Sequence, residues 1–478
     1  MRRMLASLAA AAMLAACGSQ GSTGPGAVAT ARPGATPVPV LAGPLVRMRA
    51  AVFGTPPTRA LIGSNAAPGA NAGFTLALGD QAAYHVQRAQ AEARALAGLP
   101  APAPHYALAQ THAVGETQPF WVFTDDTPGS EAEVQVQATL AAVGQHCYVW
   151  NDPAGNSSPH ATALLAARIR EIADTFDAQI YPTDTRLFGS EANPGVDGDP
   201  RIHILISPAV SQGGGGTTLG YFSRRDAYPA NPNGRAIMQH SNAKELINVA
   251  TRIVLTGSQE DYLGTLAHEF EHMINFNQKV LLGKNAVGED LWIDEGMAMY
   301  ALEANGYGLR GGGRVLLNHV RDFQAQPETY SLNEWDANPH GIGYGPVYLF
   351  MVYVADRFGE GILHEIVSSP QIGFPNLEAR LNAHGSRFSD LFADWAAANV
   401  VDHVPGMPPT LTYKLIDMHG SYGGTPLTGF YGNSVAETGI SNLSLRPCSL
   451  FYAELPSGVG LPAFKVGAGV TVEPPLGQ

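Results

Sequence analysis

Apolar residues recur along this chain at two spacings, and the spacing changes character near its middle. Between residues 106 and 255, short alternating or continuous apolar runs at 120–123, 134–140 and 146–150 predict β-strands. Runs at 201–206, 219–223 and 236–240 predict three more. Among them, 160–179 has the 3.6-residue period of a helix, with Leu164, Ile169, Ile172 and Phe176 on one side. Beyond residue 255 the helical period dominates, at about 258–280, 291–304 and 344–357. Strands first and helices afterwards predict an α+β fold: a mixed sheet, then a mostly helical second lobe.

The ends are patterned differently. Residues 1–17 read as a targeting segment, Arg2 and Arg3 preceding an apolar run over 4–16 that is too short to span a ~30 Å bilayer. The run closes on Leu14-Ala15-Ala16-Cys17, which resembles a bacterial lipoprotein signal. That resemblance implies export and a membrane anchor through acylated Cys17 at the cell envelope. An ordinary secretory signal with an incidental cysteine is the plainer alternative. Residues 18–45 form a Gly/Ser/Pro/Ala-rich tether, and 46–105 an N-terminal segment or pro-region. The main domain is expected over 106–404, and a small β-rich C-terminal tail over 405–478. With Cys17 acylated, Cys147 and Cys448 remain, a pair that invites a disulfide in an exported chain.

Composition narrows the function. The 478 residues are 45% hydrophobic, enough for a sizeable core, and carry a net charge of −13. An acidic chain with five lysines and no basic cluster is not a nucleic-acid binder.

The candidate chemistry lies in His268-Glu269-Phe270-Glu271-His272. Histidines four apart on a helix point the same way, so two imidazoles reach one metal, and Glu269 can approach a metal-bound water. Chance gives on the order of 0.02 such runs in this composition. The flanks agree with a helix: Ser258 followed by Asp261 reads as an N-cap with an acidic first turn. Leu263, Leu266, Phe270, Met273 and Ile274 form an apolar stripe about 180° from the two histidines. A zinc site of this type needs a third protein ligand and an open position. Downstream, Trp292-Ile293-Asp294-Glu295-Gly296-Met297-Ala298 opens a second helical stretch, with Glu295 twenty-three residues after His272.

This arrangement resembles the gluzincin peptidases, and more fully the hyicolysin-type bacterial neutral zinc metallopeptidases. The residues carrying the resemblance are 268–276, 292–298, Tyr344-Gly345 leading into Leu349-Phe350 and Tyr353, and Arg201–Ile206 followed by Gly220-Tyr221-Phe222. It spans roughly 120–400. It implies a zincin-like fold around one Zn2+, ligated by His268, His272 and Glu295. It also implies hydrolysis of protein or peptide substrates, with Glu269 as general base on the zinc-bound water. Asp294 as third ligand, in the manner of aspartate-type zincins, is a variant with the same chemistry. A catalytically silent zincin-fold surface lipoprotein that acts by binding is the alternative from another class.

The chain lacks a metzincin's third histidine and departs from the gluzincin pattern at one position. Gln278 stands where a metzincin would place a third histidine, and Met299 where thermolysin-like gluzincins carry an acidic residue. The residue orienting a ligand histidine must then come from Asp294, Asp290 or Asn275. Tyr344 is the family-like donor to the oxyanion, with His340 nearby; on composition alone Tyr344 is a core aromatic. Asp197-Gly198-Asp199 could bind Ca2+ but reads more readily as a tight turn, and Gly213–Gly216 as a flexible turn.

Overall fold

The computed structural model describes residues 111–124, 132–211 and 218–427, with breaks at 232–233, 284, 286–287, 336–337 and 340–342, and short pieces outside them. Cys17, the tether over 18–45, the glycines 213–216 and His340 lie outside the described residues.

A six-stranded mixed sheet forms the first layer: β1 (Thr117–Phe123), β2 (Glu133–Val143), β3 (Cys147–Asn151), β4 (Ile202–Ser207), β5 (Gly220–Phe222) and β6 (Leu246–Ala250). Its order is β1-β2-β3-β4-β6-β5. β3, β4 and β6 run parallel, while β1, β2 and β5 pair antiparallel at the two sides. The parallel strands are covered on both faces, which is why β4 and β6 are buried at every position. β6, Leu-Ile-Asn-Val-Ala, shows no alternation and escapes detection from periodicity for that reason. The run 236–240 is corrected from strand to helix: Ala236–Gln239 is a single helical turn, since four apolar-biased residues do not distinguish the two by pattern.

Helix α1 (Pro159–Thr175) crosses from β3 toward β4, started by the Ser158 side chain accepting from Ala161 N–H at 3.1 Å. A short α2 (Tyr181–Phe188) follows. The helix carrying the histidines, α3 (Gln259–Phe276), begins where the sequence places it, with Ser258 N–H donating to the Asp261 carboxylate at 2.9 Å. It is enclosed far more completely than a two-faced stripe implies, since Tyr262, Gly264, Thr265, Ala267, Glu269 and Glu271, all off the stripe, are buried as well.

The second layer is helical: α4 (Leu291–Ala304), α5 (Arg314–Ala325), α6 (Tyr344–Phe358), α7 (Gly361–Val367), α8 (Gly373–Ala383) and α9 (Phe388–Val401). α4 and α6 are buried almost throughout. Gly296 lets them meet, because a Cβ there would stand 2.8 Å from Met351 Cγ. The fold is thus the α+β arrangement read from the sequence, with the site helix between the sheet and a mostly helical second part. Among the described residues no helix is long and apolar enough to cross a membrane. In the tail, a two-stranded hairpin pairs Ser421–Tyr422 with Thr425–Pro426. Cys147 in β3 is a buried free cysteine, so the expected pairing with Cys448 is not made.

Candidate active site

Helices α3 and α4 bring three donors from distant positions into one triangle. His268 Nε2 and His272 Nε2 stand 3.1 Å apart. Glu295 Oε2 lies 3.4 Å from the first and 3.6 Å from the second. Donors about 2.0–2.2 Å from a shared tetrahedral zinc stand roughly 3.3–3.6 Å from one another, so the two edges to Glu295 match one such ion and the 3.1 Å histidine edge needs to open by a few tenths of an ångström. Glu295 Oε2 is also buried without a hydrogen-bond partner, a costly state unless a cation meets it.

Electrostatics agree with the geometry. Burial alone would raise the Glu295 carboxyl, but His272 and His268 outweigh it and hold it down to about 2. Burial alone would lower the His272 imidazole, yet Asp294 and Glu295 hold it well above its ordinary value. The cluster draws positive charge to itself, which a proton or a metal cation can supply.

Around the triangle, Asp294 accepts from His272 Nδ1 at 3.1 Å, fixing Nε2 as the nitrogen free to ligate. The other residues weighed for that role do something else. Asn275 donates to Glu271, and Asp290 stands at the N-cap position of α4 without a side-chain capping bond. Met299 is core. Asp294 is not among the triangle's donors; with Glu271 it forms a second acidic group around His272, on the Nδ1 side.

Glu269 points toward the edge strand. Its Oε2 accepts from Phe222 N–H at 2.8 Å, and the residue is 9% exposed. Tyr344, the first residue of α6, sets its ring 6.2 Å from that of His268. Burial, and after it the charges of Glu295 and Glu269, push its hydroxyl well above the ordinary phenol range, so it stays a donor. Trp335 and His319 pack against it at 5.3 and 5.2 Å between ring centroids. Burial pushes the His319 imidazole down to about 4, leaving it neutral.

Sequence reasoning missed Phe222 N–H, His319, Trp335 and Arg224, which donates to Asp294 at 3.0 Å. A backbone donor has no residue signature, and the others are brought in by tertiary packing alone. Asp197 and Asp199 lie apart, turned into their own loop. Asp197 accepts from Asp199 N–H and pairs with His203 Nε2, while Asp199 accepts from Tyr148 and Arg201 N–H. With all four oxygens engaged, the tight-turn reading holds over the calcium one.

No family model matches the chain. It is similar to the neutral metalloprotease ShpI of Staphylococcus hyicus, 28% identical over 226 residues that cover 45% of this chain and 48% of that protein. The chain thus aligns with about half the length of that relative. Among solved structures it is similar to yeast LTA4 hydrolase in complex with bestatin, at a TM-score of 0.33 and 12% identity, over 60% of this chain and 45% of that one.

Proposed function

We propose that this protein is a zinc-dependent peptidase that hydrolyses peptide bonds of proteins. The observation that carries the reading is the triangle of His268 Nε2, His272 Nε2 and Glu295 Oε2 with edges of 3.1 to 3.6 Å. The similarity to a protein named as a neutral metalloprotease supports it. These three atoms would hold the zinc. When bound, zinc supplies Lewis acidity that polarises a carbonyl and brings a water's pKa to about 7.

The chain's own residues do the rest. Glu269 takes a proton from the attacking water and later delivers it to the leaving amine nitrogen. Its bond from Phe222 N–H aims one oxygen and leaves the other for the proton. Tyr344 donates its hydroxyl proton as a hydrogen bond to the oxygen that gains negative charge as the carbonyl is attacked. Export and anchoring through Cys17 belong to the same proposal and rest on the pattern over residues 1–17.

The test is metal analysis of the purified chain together with casein hydrolysis before and after a chelator. About one zinc per chain, with activity abolished by the chelator and restored by zinc, is the expected result. Stoichiometric zinc without hydrolysis of any protein substrate would favour the silent binding protein.

A further inference from the structure

Strand β5 ends at Phe222 and runs through Ser223 into Arg224, which opens a 3-10 turn, and the two outer residues of this tripeptide reach opposite sides of the metal triangle. Phe222 N–H donates to Glu269. Arg224 Nη2 donates to Asp294 Oδ2 at 3.0 Å, and Asp294 Oδ1 accepts from His272 Nδ1 at 3.1 Å. The Arg224 side chain is 15% exposed and that of Asp294 6%, so this ion pair is largely withdrawn from solvent.

We infer that Arg224 is a positioning residue for the metal site, acting through Asp294 on the His272 imidazole; the inference rests on the zinc reading above. The guanidinium is held from several directions. Its Cζ lies 5.9 Å from the centroid of the Phe276 ring at the end of α3. Gly288, in the α3–α4 connection, has φ +82°, and a Cβ there would stand 3.0 Å from Nη1. A flat, fixed donor of this kind restricts the Asp294 carboxylate to one orientation. Asp294 in that orientation offers one oxygen to Arg224 and the other to Nδ1 of His272. The imidazole is thereby held in the tautomer and rotation that present Nε2 to the triangle.

The same tripeptide is anchored in the sheet. Phe222 pairs with Ile247 of β6, Tyr221 OH accepts from Phe123 N–H at 3.0 Å, and Ser223 is fully buried. The edge strand therefore sets the base and a ligand histidine against one frame, joining groups separated in sequence by up to 72 positions, from Phe222 to Asp294.

The test measures zinc affinity of the full chain at neutral pH by competition with a chromophoric chelator, using Zn2+ alone as the probe. Arg224→Gln should raise the zinc Kd on the order of tenfold, the lower end of what loss of a ligand's supporting partner costs. Arg224→Lys should recover part of that loss, since an ammonium keeps the charge and a donor for Asp294 but not the flat, fixed plane. In an Asp294→Asn background, Arg224→Gln should add less than about twofold, because the path through Asp294 is already cut. Multiplicative losses in the double variant, or an Arg224→Gln affinity equal to wild type, would overturn the inference and leave the zinc reading standing. A fall in affinity that Arg224→Lys does not recover, tracking a lowered Tm of the metal-free protein, would reduce Arg224 to a structural residue. A wild-type chain that binds no zinc overturns both.

Discussion

Asp294 and Glu295, adjacent near the start of α4, address opposite nitrogens of the same imidazole. Asp294 Oδ1 lies 3.1 Å from His272 Nδ1, while Glu295 Oε2 lies 3.6 Å from His272 Nε2. One carboxylate orients the ring and the other joins it as a donor. Their substitutions should separate accordingly. Glu295→Gln replaces the anionic donor of the proposed zinc site by a neutral amide and should strip zinc on dialysis at neutral pH. Asp294→Asn should keep the metal with an affinity lowered about 10- to 100-fold. Zinc content after dialysis, read by atomic spectroscopy, decides; the reverse order of the two variants would make Asp294 the ligand.

Glu269→Gln should leave zinc binding intact and reduce peptide hydrolysis by at least about 10²- to 10⁴-fold. The amide oxygen can still accept from Phe222 N–H, so the local structure survives while the proton acceptor is lost. Wild-type turnover in this variant would remove the general-base mechanism.

Metal removal should also show in stability. Without a cation, Glu295 Oε2 stays buried with no hydrogen bond and only the two imidazoles at 3.4 and 3.6 Å to balance it. Zinc at about a thousand times its Kd should add roughly 4 kcal/mol to the folded state. Thermal melts with zinc, with calcium and with chelator test this. A Tm raised equally by calcium would contradict a site built of two imidazoles and one carboxylate.

The parts of this site that were legible in the sequence are those set by helical geometry. His268 and His272 reach one point because they are four residues apart on a helix, and the Ser258 and Asp261 start was readable from the same local rules. Glu295 needed a resemblance, since nothing local in Trp292–Ala298 says which point in space it reaches. Arg224 left no trace, because its role exists only once an edge strand is laid beside α4. The same limit explains β6, buried on both faces and hence without alternation. It also explains Cys147, free in β3, since which cysteines meet is decided by tertiary packing and not by their count.

A separate expectation concerns pH. His203 in β4 is fully buried, accepts at Nδ1 from Trp150 Nε1–H, donates from Nε2 to Asp197, and is pushed by burial down to about 4. The unfolded chain takes up this proton near pH 6.5 and the folded one only near pH 4. Between those values the unfolded state binds more protons, so the stability this group supports is whole above pH 6.5 and declines as the pH falls toward 4. The loss amounts to roughly 3 kcal/mol over that window. His203→Gln has no such titration, and its denaturant midpoint should fall less than that of wild type between pH 7 and 4. Parallel pH profiles of the two proteins would count against the buried neutral imidazole.

Tyr344 offers the last expectation. It opens α6, its ring stands 6.2 Å from that of His268, and it is braced by Trp335 and His319. A neutral His319 adds no charge of its own there. The hydroxyl, pushed well above its ordinary pKa, keeps its proton throughout the neutral range and can donate without ionising. A donor aimed at an oxygen that becomes anionic during attack matters little for binding and much for the barrier. Tyr344→Phe should therefore lower kcat by on the order of 10²-fold with KM and zinc affinity nearly unchanged. The ring and its packing are kept, so a fall in Tm is not expected. Wild-type kcat would return Tyr344 to a core aromatic, and a raised KM with unchanged kcat would make it a substrate contact. Either outcome shifts the search for the oxyanion donor to His319, whose imidazole packs on the same ring.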